Sequence, residues 1–218
     1  RELDSILFGS VLSVDARAAS YRVLDLSIGS PLLYGDAARN AEPLLTPRVN
    51  ALLAPGAIGI GRYDEARMLY TDAAFVSRSV RNGELRTVHI GLDLFAPTGT
   101  PVHAPMDGTI HAFAENRDPL DYGPVIVLRH ETSDGAPFFT LYGHLSRESL
   151  DGKRIGQPVA RGERIATLGA PDVNGGWTPH LHVQVITDLL DLDADFPGVA
   201  AASQRATWLS LSPDPNFI

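Results

Sequence analysis

The chain contains no cysteine and no long run of apolar residues. Without cysteine there can be no disulfide framework and no thiolate metal site, so a metal would have to bind histidines and carboxylates. No run approaches the ~18 apolar residues of a membrane-spanning helix, and we expect no membrane span. Basic residues are also few: 18 Lys and Arg stand against 26 Asp and Glu. The formal net charge of -8 disfavours nucleic acid as a partner.

The remaining composition is that of a globular protein. The 218 residues are 44% hydrophobic and 20% charged, which suits one domain with appendages or two small domains. With thiols absent, the 7 histidines become the first candidates for chemistry. We see no internal repeat and no low-complexity segment.

From Thr87 onward, short apolar runs alternate with Gly, Pro and Asp, a pattern typical of an all-β domain. The segment Ile155–Gly169 predicts a β-hairpin. We therefore expect a mainly β fold, a compact antiparallel β-sheet or barrel-like sandwich. The predicted strands are Thr87–Phe95, Pro101–His103, Gly108–Ala114, Pro124–His130, Phe138–His144, Pro158–Arg161, Arg164–Leu168 and His180–Ile186.

Composition divides the chain into three segments. Residues 1–86 form an N-terminal, β-rich extension, which is a small β subdomain or a lid. Residues 87–190 form the main β domain, and residues 191–218 form a C-terminal strap or linker.

Within the N-terminal extension, alternating apolar residues predict strands in Val11–Val14 and Tyr21–Ile28. A loop rich in Pro, Ala and Gly is expected from Ser30 to Gly61. The segment Tyr63–Tyr70 fits a short helix or an extended chain equally well.

Four histidines fall into three motifs: His89-Ile-Gly-Leu-Asp93, Tyr142-Gly-His144-Leu, and His180-Leu-His182. On a straight strand His89 and Asp93 share a face but stand roughly 13 Å apart. They can bind one metal only if the chain bends between them, and Gly91 is where a bend is tolerated.

A His/Asp/His set is chemically suited to zinc. Three protein ligands leave a fourth position for water, whose pKa the metal lowers toward ~7. Further histidines on the same face can transfer protons. The spacing alone is weak, because His-x-His and His-x-x-x-Asp also occur among ordinary surface histidines.

The order of motifs in residues 88–186 resembles the lysostaphin-type zinc metallopeptidases, a family of Gly-Gly and peptidoglycan endopeptidases. Its fold is a compact antiparallel β domain related to the hybrid motif of biotinyl and lipoyl carriers. The motifs that carry the resemblance are His89-Ile-Gly-Leu-Asp93, Pro97-Thr-Gly-Thr-Pro-Val102, Ala104-Pro-Met-Asp-Gly-Thr-Ile110, Val125-Ile-Val-Leu-Arg-His130, Leu141-Tyr-Gly-His-Leu-Ser146, Gly156-Gln-Pro-Val-Ala-Arg-Gly-Glu-Arg-Ile165, Leu168-Gly169 and His180-Leu-His-Val-Gln184.

The resemblance implies a zinc-dependent endopeptidase that cuts a peptidoglycan cross-bridge or a similar Gly-rich peptide. His89, Asp93 and His182 would bind Zn²⁺. His144 and His180 would be the catalytic pair that orients and deprotonates water and steadies the oxyanion. The enzyme would then act in the cell envelope or be secreted.

The sequence departs from the family in two places. The insert before His180 carries Trp177, and Val183-Gln184 replaces the usual aromatic-Glu pair. Tyr142 and Trp177 are the candidate walls of a substrate groove.

The flanks have a second, less specific resemblance, to the middle of large polypeptides that join a kinase-like, a peptidase-like and a class III aminotransferase domain. It rests on Gly59-Ile-Gly-Arg-Tyr-Asp-Glu-Ala-Arg67 and Pro213-Asp-Pro-Asn216, among other stretches. The first residue, Arg1, and the lack of a signal-like segment agree with an excised middle domain. The alternative function is then a zinc-binding, cytoplasmic module that acts on or binds a small amine or amide ligand, with covalently linked neighbouring domains.

A carrier or phosphocarrier role is disfavoured. The single lysine, Lys153, lacks the Met-Lys context of a carrier, and a phosphocarrier would not need Asp93.

Other polar residues are expected to be ordinary. His103, His111 and His130 are interpreted as strand or turn histidines. The charged residues Arg62, Glu65 and Arg67 are interpreted as a solvated or salt-bridged face; these two sets are given no role in the site.

Overall fold

The computed structural model describes residues 9–13, 20–77 and 83–216. Val14, the end of the first predicted strand, lies outside these residues, and within the described part of that strand Leu12 forms an isolated bridge with Val102. The helices and strands are α1 (Leu45–Leu52), α2 (Arg205–Leu211), β1 (Tyr21–Leu24), β2 (Ile58–Gly61), β3 (Glu65–Ala66), β4 (Arg86–His89), β5 (Leu92–Phe95), β6 (Pro101–His103), β7 (Gly108–Asn116), β8 (Gly123–Glu131), β9 (Pro137–Gly143), β10 (Pro158–Val159), β11 (Arg164–Thr167), β12 (His180–Ile186) and β13 (Val199–Ala201).

The strands form three sheets. The largest has the order β1-β2-β5-β12-β9-β8-β7-β10, and the smaller ones are β11-β6 and β13-β4-β3. Every pairing is antiparallel except that of β1 with β2. The prediction of a mainly β, antiparallel fold is confirmed, and the large sheet is open rather than a closed barrel.

Alternation along β8 and β12 builds a core on each face of the large sheet. On one face Ile126, Leu128 and Leu181 pack with the β6–β11 pair. On the other face Val127 and Ile186 pack under the C-terminal segment. The central strands are buried on both faces, which explains their nearly continuous apolar runs.

The predicted strand Thr87–Phe95 is interrupted. The chain leaves β4 at His89 and enters β5 at Leu92, in a different sheet. Gly91 lies at the break, where a Cβ would stand 2.4 Å from Cε1 of His182. No side chain fits there, so glycine permits both the bend and the close approach of the histidine.

The prediction of a β-hairpin over Ile155–Gly169 is wrong. β10 pairs with β7, whereas β11 pairs with β6 in another sheet. The turn at Gly162, with φ of 79°, donates its N–H to Ala104 rather than closing a ladder between the two arms. The two short arms therefore belong to different sheets.

The predicted loop Ser30–Gly61 contains α1 and β2. Leu45 and Val49, four residues apart, form the buried side of α1. Pro47 lies in the first turn of α1. Backbone N–H groups in the first turn have no acceptor within the helix, so a proline, which has no N–H, costs no hydrogen bond there. The segment Tyr63–Tyr70 is turn and strand rather than helix.

The C-terminal segment is more regular than a strap, because it supplies β13 and α2. β13 pairs with β4, and α2 packs through Trp208 against Phe196 and Ala200. The large sheet also includes β1 and β2, so sheets run across the divisions at residues 86 and 190. Neither helix of the described residues is long and apolar enough to cross a membrane.

Candidate metal centre

The strand register brings the predicted site residues together. In β12, His182 lies opposite Asp93 of β5 on one side and opposite Gly143 of β9 on the other. His144 follows directly after β9. His89 ends β4 and reaches the same place from a separate sheet, because the chain bends at Gly91.

Three atoms that could bind a metal lie close together. Nε2 of His89 lies 3.0 Å from Nδ1 of His182, and Oδ1 of Asp93 lies 3.1 Å from each of these nitrogens. The three residues form the one group of possible metal ligands of this kind among the described residues. All three residues are buried, with exposed fractions of 1–3%.

The hydrogen bonds of the two imidazoles fix their tautomers. Nδ1–H of His89 donates to the carbonyl of Arg62 at 2.9 Å, because a carbonyl oxygen can only accept. Nε2–H of His182 donates to Oε1 of Gln184 at 2.9 Å. The Gln184 amide is oriented by its own NH₂ group, which donates to the carbonyl of Ile90 and to Oγ of Ser212.

With both rings neutral, these tautomers leave two unprotonated nitrogens and a carboxylate oxygen facing one another with no proton between them. Burial, and then the nearby charge of Arg67, lowers the pKa of His89 to about 4, so this imidazole is neutral at pH 7. Burial alone would raise the pKa of Asp93, but attraction to His89 and Arg67 outweighs it and holds the pKa well below its ordinary value. Three mutually repelling acceptors in a buried place fit a cation.

The donor set also fits zinc in size. Bonds of ~2.0–2.1 Å in a tetrahedron would place ligand atoms about 3.3 Å apart, close to the separations observed. His89, Asp93 and His182 can therefore hold such an ion with little movement.

His144 and His180 lie beside the three donors. Their ring centroids are 4.3 Å apart, and Nε2 of His180 is 3.6 Å from Oδ1 of Asp93. Nδ1–H of His144 donates to the carbonyl of Asn174, and that of His180 to the carbonyl of Thr178. Nε2 of each ring is thus left without a proton.

Burial holds the pKa of both rings below the ordinary value, and repulsion from His180 when that ring is protonated adds to this at His144. His144 also has a φ of 63°, a left-handed conformation that is uncommon for a residue with a side chain. Backbone strain of this kind clusters at functional sites.

Arg67 and Gln184 are the residues of this centre that the sequence analysis left without a role. Arg67 was placed in a solvated or salt-bridged face with Arg62 and Glu65. The ion pairs are present, but Arg67 and Glu65 are buried, with exposed fractions of 1% and 5%. Nη1 of Arg67 donates to Oδ2 of Asp93 at 2.6 Å. The only feature of the sequence that could have indicated this role is the close spacing of opposite charges at Arg62, Glu65 and Arg67.

Tyr142 does not line a groove. It is fully buried in the core on the opposite face of the large sheet. The reason is the two-residue period of the strand: Tyr142 lies opposite Val183, whereas Gly143 lies opposite His182.

Trp177 does lie near the centre. Its ring is 6.2 Å from that of His144 and 6.1 Å from that of Tyr70, which with Phe75 forms an aromatic cluster. Its indole N–H donates to the carbonyl of Asp121.

The three histidines expected to be ordinary have separate partners. His103 lies near Ser13, and His111 faces Asp193. His130 is buried between the carbonyl of Asp107 and the hydroxyl of Thr140.

Comparison with known proteins finds a match to one family model. Residues 87–194 match the sequence model of Peptidase family M23. The chain is 35% identical over 128 residues to an uncharacterized metalloprotease of Haemophilus influenzae, an alignment covering 58% of this chain and 24% of that protein. It is 32% identical over 100 residues to the peptidoglycan DD-endopeptidase ShyC of Vibrio cholerae, covering 46% and 20%.

Among solved structures, the catalytic domain of lysostaphin from Staphylococcus simulans is 26% identical, with a TM-score of 0.40, covering 64% of this chain and 82% of that one.

The chain spans about a fifth to a quarter of the length of these two curated relatives. The flank resemblance to kinase-like and aminotransferase polypeptides finds no support in the comparisons. The match to Peptidase family M23 covers residues 87–194, the same part of the chain in which the order of motifs resembles the lysostaphin-type metallopeptidases.

Proposed function

We propose that this protein is a zinc-dependent endopeptidase that hydrolyses a peptide bond in peptidoglycan or in a similar Gly-rich peptide. The observation that carries the proposal is the convergence of three buried acceptors from His89, Asp93 and His182 within 3.0–3.1 Å. His89 would bind Zn²⁺ through Nε2, Asp93 through Oδ1 and His182 through Nδ1. When bound, zinc would polarise the peptide carbonyl and lower the pKa of water.

The protein's own part in hydrolysis would lie with His144 and His180. The carbonyls of Asn174 and Thr178 hold each ring so that Nε2 is free to accept a proton. Because burial keeps both imidazoles neutral, one can take the proton of the attacking water. The other ring, 4.3 Å away between ring centroids, can orient that water by accepting its second O–H. The ring that has taken the proton can then donate from Nε2–H to the developing oxyanion and pass the proton to the leaving amine.

The choice of substrate follows the relatives. The name of the Vibrio cholerae protein describes a peptidoglycan DD-endopeptidase, and the family match extends over the site residues. Peptidoglycan is located in the cell envelope, so we propose that the enzyme acts there.

The test joins metal content with activity. We expect the full chain to bind about one zinc per molecule and to release peptides from peptidoglycan or cut a Gly-rich peptide. His144→Ala should keep the metal but lose about 10²–10⁴-fold in kcat, the usual contribution of a positioned proton acceptor.

The matched control is His111→Ala, which removes a partly exposed histidine paired with Asp193. It should keep both metal and activity. A folded wild-type protein that takes up no zinc, or a His144→Ala variant as active as wild type, would overturn the proposal.

A further inference from the structure

Arg67 is a fully buried cation at the back of the metal centre. It lies one residue after β3, and its side chain is 1% exposed. Its guanidinium donates to four groups, three of them within residues 62–70 and the fourth on β5. These are Oδ2 of Asp93, Oε2 of Glu65, the hydroxyl of Tyr70 and the carbonyl of Arg62.

The contact with Arg67 gives the two oxygens of the Asp93 carboxylate different partners. Oδ2 lies 2.6 Å from Nη1 of Arg67, and Oδ1 lies 3.1 Å from the nitrogens of His89 and His182. Rotation of the carboxylate would break the short charge-assisted bond. One oxygen is therefore held toward the imidazoles and the other is kept away from them.

The other contacts of the guanidinium fix its own position. Nε is 2.8 Å from Glu65, whose second oxygen accepts from Arg62. The space around it is tight, because a Cβ at Gly61 would lie 2.9 Å from Nη2 of Arg67. A lysine would keep the positive charge but could not make this fork of bonds.

The carbonyl of Arg62 links the same segment to a second ligand. It accepts from Nδ1 of His89 and also from Nη2 of Arg67. Two of the three metal-binding side chains, Asp93 and His89, are thus oriented by groups that Arg67 contacts.

We propose that Arg67 is a positioning residue of the metal centre, which holds Asp93 as a ligand through one oxygen and fixes the segment that orients His89. The inference rests on the proposed function, since it concerns affinity for the same metal. It gives residues 62–67, outside the family match, a part in the site.

The test compares Arg67→Lys with Arg48→Lys in the full chain. Arg48 is a matched control because its guanidinium also makes several internal bonds, to the carbonyls of Leu32, Leu44 and Arg39. We expect Arg67→Lys to weaken zinc binding about 10–100-fold in competition with a chelator, as for other outer partners of metal ligands. The visible spectrum of the Co²⁺-loaded variant should change, whereas Arg48→Lys should match wild type in both measurements.

A purely structural role predicts a different result: a lower Tm for Arg67→Lys with unchanged zinc affinity and Co²⁺ spectrum. That result would overturn the inference. Crystal structures of the metal-free proteins separate it from a failure of the proposed function. If wild type takes up no metal, the proposed function fails. Loss of the Asp93 orientation in Arg67→Lys would then still support positioning, and an unchanged carboxylate would overturn it.

Discussion

Two buried histidine networks lie on opposite faces of the same large sheet, and they differ in their supply of hydrogen-bond donors. In one network, His130 donates from Nδ1–H to the carbonyl of Asp107 and accepts at Nε2 from the hydroxyl of Thr140. Tyr142 completes it with a bond of 2.8 Å to Thr140. Every proton has an acceptor, and burial simply holds the pKa of His130 below its ordinary value.

The other network has too few protons. Its two imidazoles direct their N–H groups outward, to Arg62 and Gln184, and direct bare nitrogens toward the carboxylate of Asp93. Burial of a histidine is therefore not the sign of a metal site. The sign is a set of acceptors that face one another with no donor.

The largest expected difference between the two faces is in metal binding. Removing a ligand with His182→Ala should weaken zinc binding by more than ~100-fold, beyond the effect of losing an outer partner. His130→Ala should keep full zinc content, because the hydrogen bonds of His130 go to Asp107 and Thr140, which are not part of the metal centre. Elemental analysis after dialysis measures both, and equal zinc loss in the two variants would remove the distinction.

The second difference is in stability. Arg67→Met leaves the buried carboxylate of Asp93 without its cation and that of Glu65 with Arg62 alone, and we expect a loss of about 3–5 kcal/mol in the free energy of unfolding. Thr140→Val leaves the neutral groups of His130 and Tyr142 unpaired, at about 1–3 kcal/mol. Denaturant unfolding of metal-free protein measures both. A smaller loss for Arg67→Met than for Thr140→Val would contradict this account.

The third prediction concerns the tautomer of His182. Gln184→Leu removes the acceptor of its Nε2–H, and we expect zinc affinity to fall about 10–100-fold. Chelator competition measures it. Ser212→Ala is the control: it removes a partner of Gln184 but leaves the bond to His182, and its affinity should stay closer to wild type. Unchanged affinity in Gln184→Leu would show that this bond does not orient the ligand.

The smallest effect is expected for Tyr142→Phe. His130 keeps its bond to Thr140 in this variant, so we expect a loss of about 1 kcal/mol or less and no change in zinc content. The KM for a peptide substrate should also stay the same, because Tyr142 is buried away from the site. A raised KM with unchanged stability would contradict this and support the prediction that Tyr142 lines a substrate groove.

Sequence patterns predicted the strands of the main domain well. β6 and β12 have the predicted bounds, and β8 and β9 differ by a residue at either end. These strands carry strong alternation between turn residues, which is local information. The missed elements include α1 and β13, which are short and depend on burial against distant strands.

The site was predictable to the extent that it lies in motifs. His89, Asp93, His144, His180 and His182 could all be proposed, and the structure brings them together. Arg67 could not, because nothing in a charged segment shows that it is buried. Its partner Asp93 lies 26 positions away in the sequence.

The sequence by itself therefore determined the types of residue at the site, the absence of thiol ligands and the antiparallel β character of the domain. Only the tertiary structure decided which face each side chain occupies, where the chain breaks between His89 and Asp93, and which groups orient the imidazoles. The physical reason is the range of the interactions. Alternation and turns are encoded within a few residues, whereas register and buried charge pairs join strands that are far apart in the chain.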